Sequence, residues 1–386
     1  MACKKKHKLL ILSKGLLQSV ENNIHFRKQK LFSMDFYGDI IHLIFNESLV
    51  NIRVDEFRIL GCYIPRWIRR RKILYNSFYI ACVVKKVLAS HKEKKYDLII
   101  TREPIFSGVL GLVLSKLIAV PILVEMNGNY ASGMLWTDKS ITSWVKEKYT
   151  KFIIPFVLNR VDGVKVLYKE QLAPYGAIRR KKGTVWQFHD YIPMDDFEAS
   201  ILDEGYILAM GSPWKLKGYD ILIEAFKKIT LKHPQIELRI ITWFVTEKSK
   251  NEFLDLISEI SNIKLIPPVF YKEAIKHISR CKFLVLPSRT EGMGRVLLEA
   301  MGHQKAVIGS NVDGIPTYIE DHKNGLLFES ENINELAEKM NQLINNESLR
   351  DDLAKEGRER AVNIYSEAQF YLNYKKMVES IIQNNL

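Results

Sequence analysis

Short apolar runs recur along the chain, separated by longer, helical-looking stretches. In the first half the runs fall at residues 9–12, 40–45, 97–101, 121–125 and 164–167; in the second they fall at 206–210, 237–242, 283–287 and 306–309. Val/Ile/Leu runs without alternation are expected of strands covered on both faces, as in parallel sheets. Their alternation with helical segments predicts βαβ units and an α/β fold. A polar interruption at residues 191–205, holding Pro193, Asp195, Asp196, Asp203 and Glu204, separates two such sets. It predicts two Rossmann-like, doubly wound domains over residues 1–195 and 200–365. The closing stretch, 366–386, sets Phe370, Tyr374, Met377 and Ile381 on one helical face and so needs a surface to cover, for which the first domain is the candidate.

Composition narrows the class. A chain of 386 residues suits two cores rather than one. With 47% hydrophobic and 26% charged residues, wholesale disorder is excluded. The four cysteines (Cys3, Cys62, Cys82, Cys281) form no CxxC pair, which argues against a disulfide scaffold or cysteine-rich zinc site and for a reducing, cytoplasmic setting. The apolar stretch within residues 2–19 is cut by Lys14 and lacks a small-residue cleavage site, so it is not read as a signal peptide. Residues 105–124 approach the length of a membrane span, but Gly108, Gly111, Lys116 and Pro121 favour a buried helix followed by a strand.

The net charge of +13 is uneven: residues 1–200 hold 33 basic and 18 acidic side chains, residues 201–386 hold 24 and 26. The first half therefore faces something anionic. Of the basic patches (Lys4 to Lys6, Arg66 to Lys72, Arg179 to Lys182), the middle one mixes Trp67 and Ile68 with its cations. That mixture suits an anionic membrane surface, with a phosphate-bearing acceptor or a solvated face as the competing readings. No nucleic-acid motif accompanies the charge, so no nucleic acid is expected.

The most informative segment is residues 283–328. A strand ends at Pro287, a polar loop follows, and Gly292 and Gly294 precede a helical run from Arg295. Bare backbone amides at a helix start accept phosphate or approach a sugar closely. Glu291 stands at the mouth of the loop and Glu299 lies eight positions on; eight residues of helix advance about 12 Å, a length that lets two carboxylates hold the ends of one extended ligand. A second loop, Gly211-Ser212-Pro213-Trp214-Lys215-Leu216-Lys217-Gly218, follows the strand ending at Met210.

These motifs resemble those of retaining glycosyltransferases of family 4, which have the two-domain GT-B fold with facing domains and a cleft between them. The Glu-x7-Glu motif of that family is similar to Glu291–Glu299, and its Gly-Ile-Pro and Asn-Gly-Leu turns to Gly314, Ile315, Pro316 and Asn324, Gly325, Leu326. The resemblance is specific over residues 200–365 and collinear over the first domain. It implies that Glu291 sits by the donor sugar, that Glu299 binds the ribose, and that Gly292, Met293 and Gly294 face sugar and diphosphate. It places Lys217 on the diphosphate. Ser212 stands where relatives carry arginine, and Lys215 is the candidate to replace that charge. In the first domain the resemblance points to Gly15 as a donor-side turn and to Asn127, within Glu125-Met126-Asn127, as a group on the donor sugar or acceptor. Catalytic roles thus fall to Glu291, Lys217 and Asn127.

The implied reaction moves a sugar from a UDP- or GDP-sugar to a glycan or lipid-linked acceptor with retention of configuration, in a cytoplasmic protein or one peripheral on the membrane. No Asp-x-Asp triplet, P-loop, GxGxxG or HExxH is present, so neither metal nor cofactor is expected and the nucleotide sugar is a substrate. The alternatives are a relative with another reaction (phosphorolysis or sugar-nucleotide epimerisation) and a non-catalytic module for membrane or nucleic acid.

Overall fold

Residues 6–17, 24–45, 51–69, 71–130, 141–176 and 184–385 are described by a computed structural model. The chain forms two units. One comprises Met1–Asn127, Asp138–His189 and Phe370–Leu386; the other comprises Gly128–Thr137 and Asp190–Gln369.

The first unit is built on an eight-stranded sheet: β1 (His7–Leu17), β2 (Phe36–Ile44), β3 (Asn51–Val54), β4 (Phe57–Tyr63), β5 (Leu98–Thr101), β6 (Ile122–Glu125), β7 (Gly163–Val166) and β8 (Thr184–Gln187). The strand order is β3-β4-β2-β1-β5-β6-β7-β8, parallel throughout except for the β3–β4 pair. Helices α1 (Ile24–Phe32), α2 (Arg66–Arg69), α3 (Lys72–Glu93), α4 (Phe106–Ile118) and α5 (Ile141–Leu158) connect the strands. Every residue of β5, β6 and β7 is buried, which is why β5 and β6 read as apolar runs; β7 carries Lys165, itself buried, in its middle. The edge strands β3 and β8 are largely exposed and carry no such run, so the apolar pattern passes over them. The segment 105–124 is α4 and then β6.

The second unit carries a six-stranded, wholly parallel sheet of β9 (Tyr206–Met210), β10 (Glu237–Ile241), β11 (Ile263–Ile266), β12 (Phe283–Leu286), β13 (Ala306–Ser310) and β14 (Leu326–Phe328), in the order β11-β10-β9-β12-β13-β14. The helices between and after them are α6 (Tyr219–Thr230), α7 (Glu247–Ile257), α8 (Tyr271–Arg280), α9 (Arg295–Gly302), α10 (Ile333–Asn345) and α11 (Glu347–Tyr365). Ile207, Leu238, Val285 and Ile308 from four central strands meet Leu222, Phe226, Leu336 and Met340 in one core. The strand order reverses between β9 and β12, and in open α/β sheets such a switch point is where the loops part and ligands bind.

The last helix, α12 (Glu367–Gln383), lies mostly in the first unit. Phe370 stacks on Phe32 of α1 with ring centroids 6.2 Å apart, and Tyr374 lies 4.3 Å from the same ring. Gly163 at the start of β7 leaves room for Ile381: a Cβ there would lie 2.4 Å from the Ile381 Cδ1.

Candidate functional site

Two loops leave the switch point of the second sheet, Gly211–Gly218 after β9 and Pro287–Gly294 after β12, and they are locked to each other. Gly218 has φ +64°, and a Cβ there would lie 2.0 Å from the carbonyl oxygen of Pro287, so only glycine permits the approach. The Arg289 amide donates to the Leu216 carbonyl at 2.9 Å, and its guanidinium donates to the Lys215 carbonyl at 2.5 Å. The same guanidinium makes a two-pronged contact with Asp220 (2.8 Å and 2.8 Å) and another with Glu331 (2.5 Å and 3.0 Å). These two carboxylates, outweighing the cost of burial, raise the pKa of Arg289 further and keep it charged.

Across this frame Lys217 is ion-paired with Glu291, and Ser288 Oγ donates to the same carboxylate at 3.3 Å. The Lys217 side chain runs over Gly211, whose φ is +134° and which leaves 3.0 Å between a built Cβ and Lys217 Cε. The structure thus brings together Lys217, Glu291 and the buried residues Gly292, Met293 and Gly294. Among the described residues, none accepts a hydrogen bond from the amides of Gly292, Met293 or Gly294. Three successive unpaired amides ahead of a helix, beside a lysine, form a receptor for an anion.

Asp313 holds the loop in place from the far side. Its Oδ2 accepts from Thr290 Oγ1 at 2.6 Å and from the Glu291 amide at 2.8 Å, while Oδ1 accepts from Asn129 Nδ2, in the same unit, at 2.8 Å. Asp313 itself sits at φ +49°. The sequence shows Asp313 only as the residue before a Gly-Ile-Pro turn; a small acid able to adopt a left-handed conformation was the available signal.

Glu299 is placed differently from the extended-helix picture. Helix α9 begins at Arg295, so the four residues from Glu291 to Gly294 are loop, and a rise of 12 Å computed as helix over the whole interval does not apply. The Glu299 carboxylate is 5% exposed and accepts from Arg295 Nε, one turn earlier, at 2.8 Å. Tyr271 of α8 closes the other side, with the Arg295 guanidinium 5.5 Å from its ring centre. Burial raises the Glu299 carboxyl pKa and the Arg295 charge only partly opposes it. Neither Arg295 nor Tyr271 is marked by a motif; both follow from position on adjoining helices.

Other residues singled out by sequence are engaged elsewhere. Lys215, the candidate to replace the missing arginine charge, pairs with Glu252 of α7 at 2.6 Å and lies over Trp214. Ser212 Oγ donates to the Trp243 carbonyl at 2.8 Å. In the first unit Gly15 falls inside β1, at a break in register between Leu12 and Leu16, and not in a turn after it. Asn127 follows β6 and donates to the Arg102 carbonyl at 3.3 Å, while its side-chain amide oxygen is buried without a partner among the described residues. Nearby, Glu103 at the end of β5 caps α4 by accepting from Ile105 N (2.6 Å), Phe106 N (3.0 Å) and Ser107 Oγ (2.6 Å). Lys4, Lys5, Arg70 and the patch from Arg179 to Lys182 lie outside the described residues. Among the described residues, no group of three His, Cys, Asp or Glu side chains is placed to hold a metal ion.

Comparison with known proteins fits this geometry. Residues 194–360 match the family described as glycosyl transferases group 1. An uncharacterized glycosyltransferase of Methanocaldococcus jannaschii is 28% identical over 270 residues, 68% of this chain and 70% of the relative. A capsular polysaccharide biosynthesis glycosyltransferase, CapM of Staphylococcus aureus, is 24% identical over 78% of this chain and 81% of its own. Among solved structures, Anabaena HepE in complex with UDP and glucose superposes with a TM-score of 0.76 at 15% identity, covering 97% of this chain and all of that one. The likeness in structure shows a shared fold, the GT-B arrangement of two Rossmann-like domains.

Proposed function

We propose that this chain, a GT-B glycosyltransferase whose residues 194–360 belong to glycosyl transferases group 1, moves a sugar from a nucleotide-sugar donor to an acceptor hydroxyl with retention of anomeric configuration. The observation that carries the reading is the trio of unpaired amides at Gly292, Met293 and Gly294 beside Lys217, at the switch point of the second sheet. A donor diphosphate matches that receptor in charge and in hydrogen-bonding need.

In this reading the diphosphate takes the amides and Lys217, Glu291 turns to the sugar hydroxyls, and Glu299 accepts from the ribose. The bond from the anomeric carbon to the phosphate oxygen breaks while the bond to the acceptor oxygen forms on the same face. The departing phosphate oxygen receives the acceptor proton, so no side chain is needed as general base. The work of the protein is to orient the partners and stabilise the leaving charge. UDP-sugars are the first donors to try, because HepE is solved with UDP and glucose; among glycan, polysaccharide and glycolipid acceptors, the name of CapM, capsular polysaccharide biosynthesis, supports a polysaccharide. Asn127 would contact sugar or acceptor, and the run from Arg66 to Lys72, with Trp67 70% exposed, would rest on an anionic membrane.

A thermal-shift screen of UDP-, GDP- and ADP-sugars tests the donor: a ligand at a hundred times its dissociation constant adds about 2.7 kcal/mol. Transfer from the responding donor should then be lost in Lys217→Ala and Glu299→Ala with the fold intact. Full activity in both variants would overturn the assignment.

A further inference from the structure

Helix α3 of the first unit breaks the usual division of a surface helix into an apolar inner and a polar outer face. Tyr79, Val83, Val87 and Ser90 face inward and are buried. Ser90 is tied to the Arg58 guanidinium at 2.7 Å, and the Tyr79 hydroxyl donates to the Ser13 carbonyl at 3.3 Å. The outer stripe, however, reads Leu74, Phe78, Ala81, Lys85, Leu88 and Lys92, all exposed. Ile73 is 83% exposed. Among the described residues, α3 is the one helix long and apolar enough to cross a bilayer, over Ile73–Glu93, yet only 22% of its most apolar 18-residue window is buried. Its inward bonds fix it to the sheet, so it lies along the unit's surface and does not span.

Beside this stripe, between β4 and α3, runs an apolar groove of about 550 Å³. Gly61 and Ala81 leave the space, Tyr63 and Phe78 supply apolar walls, and Lys85 and Lys86 stand over it. The size is that of a ligand site, usually about 300–1,000 Å³. Charge selects the occupant: α3 carries four lysines (72, 85, 86 and 92) against the single acid Glu93, and α2 adds Arg66 and Arg69. An apolar groove under a wholly cationic rim is complementary to an anionic amphiphile, the chain below and the headgroup above.

We propose that the groove between β4 and α3 seats one acyl chain of an anionic phospholipid, with Lys85 and Lys86 on the headgroup phosphate and α3 lying flat on the bilayer. For its partner this rests on the membrane contact proposed for the Arg66 to Lys72 run; it requires nothing of the donor site.

The test uses the full chain and phosphatidylcholine vesicles with or without phosphatidylglycerol, in the absence of donor. Sedimentation should show binding only to the anionic vesicles. Lys85→Gln/Lys86→Gln should weaken it about thirtyfold, and Ala81→Trp, which fills the groove and leaves every charge in place, about tenfold. All three positions face solvent or the groove, and unchanged circular dichroism checks the fold. Cys82 lines the groove, and Cys62 beside it, with Lys86 and Lys85, lowers its thiol pKa, so alkylation of this thiol reports on whether the groove is filled. Anionic vesicles should protect it from iodoacetamide, as read at that residue by mass spectrometry. Binding that survives Ala81→Trp and leaves Cys82 unprotected, but falls with Arg66→Glu/Arg71→Glu, overturns the groove and keeps the membrane contact. No binding to anionic vesicles overturns both. A dimer in solution that Ala81→Trp abolishes would assign the groove to a second copy instead.

Discussion

Lys217 and Glu291 close an ion pair from the loop after β9 to the loop after β12, with side chains 16% and 14% exposed. The pair therefore bridges the point where the strand order of the second sheet reverses. It gives the lysine a partner while the neighbouring amides have none. A diphosphate carries more charge than a carboxylate, so a donor arriving at those amides competes with Glu291 for Lys217. The released carboxylate is then available to hydroxyl groups.

Exchange of partners predicts opposite responses from the two halves of the pair. Lys217→Ala removes a charge-assisted hydrogen bond worth about 1.5–3 kcal/mol and should lower UDP affinity by roughly ten- to a hundredfold. Glu291→Gln removes the competitor and should make UDP itself bind more tightly, while sugar transfer falls because the hydroxyl acceptor has weakened. Isothermal titration with UDP and a transfer assay check both; weaker UDP binding in Glu291→Gln would show that the pair does not exchange.

Asp313 is expected to act as a positioning residue. Its carboxylate satisfies Thr290 and the Glu291 amide, so Asp313→Ala leaves donors unpaired at the base of the loop. The cost should be about 2 kcal/mol of unfolding free energy, seen in denaturant titration. Donor KM should rise more than kcat falls if the loop's place, and not its chemistry, is what Asp313 supplies. Asp313→Asn retains one acceptor oxygen and should recover part of the loss.

Nine strands were legible because most of their residues are covered and leave a short apolar run, interrupted by a charge at Lys165 in β7 and Arg239 in β10. Strands β3, β4, β8, β11 and β14 were not: they lie at or next to sheet edges, and the first four are partly exposed along their length. The site divides in the same way. Glu291, Lys217 and the glycines stand in compact motifs that sequence spacing displays. Asp313 and Tyr271 reach the site from separate segments, and only folding sets them beside it. Lys215 marks the limit from the other side: its loop position suits a phosphate contact, but Glu252, 37 residues on, takes its charge.

Gly218 sets the distance between the two loops. Any side chain there must adopt φ near +64° and clear a carbonyl oxygen 2.0 Å from its Cβ. The conformational penalty of about 1–2 kcal/mol adds to an overpacking cost of about 1–3 kcal/mol. Gly218→Ala should therefore lose about 2–5 kcal/mol of stability and weaken UDP binding as the loops move apart. Gly205→Ala, at φ +80° but with open space around its Cβ, should show only the conformational part. Comparing the two by denaturant unfolding separates close approach from backbone strain.

Glu299 supports a prediction in which stability and function part. Burial raises its carboxyl pKa above the usual 4.5, which means the folded protein holds that proton more tightly than the unfolded chain does. The stabilisation is complete below the unfolded value and is lost as pH rises through the folded one, where ionising a buried group costs more than Arg295 returns. Glutamine mimics the protonated acid at every pH. Glu299→Gln should thus match the native protein in acid and gain in relative melting temperature as pH climbs toward neutrality, measured by calorimetry across that range. The same substitution removes the anionic acceptor offered to a ribose, so donor affinity should fall roughly tenfold or more. A variant that is more stable at neutral pH and binds donor less well would show that the buried charge is kept for the ligand, whereas a parallel loss of both would reduce Glu299 to a structural partner of Arg295.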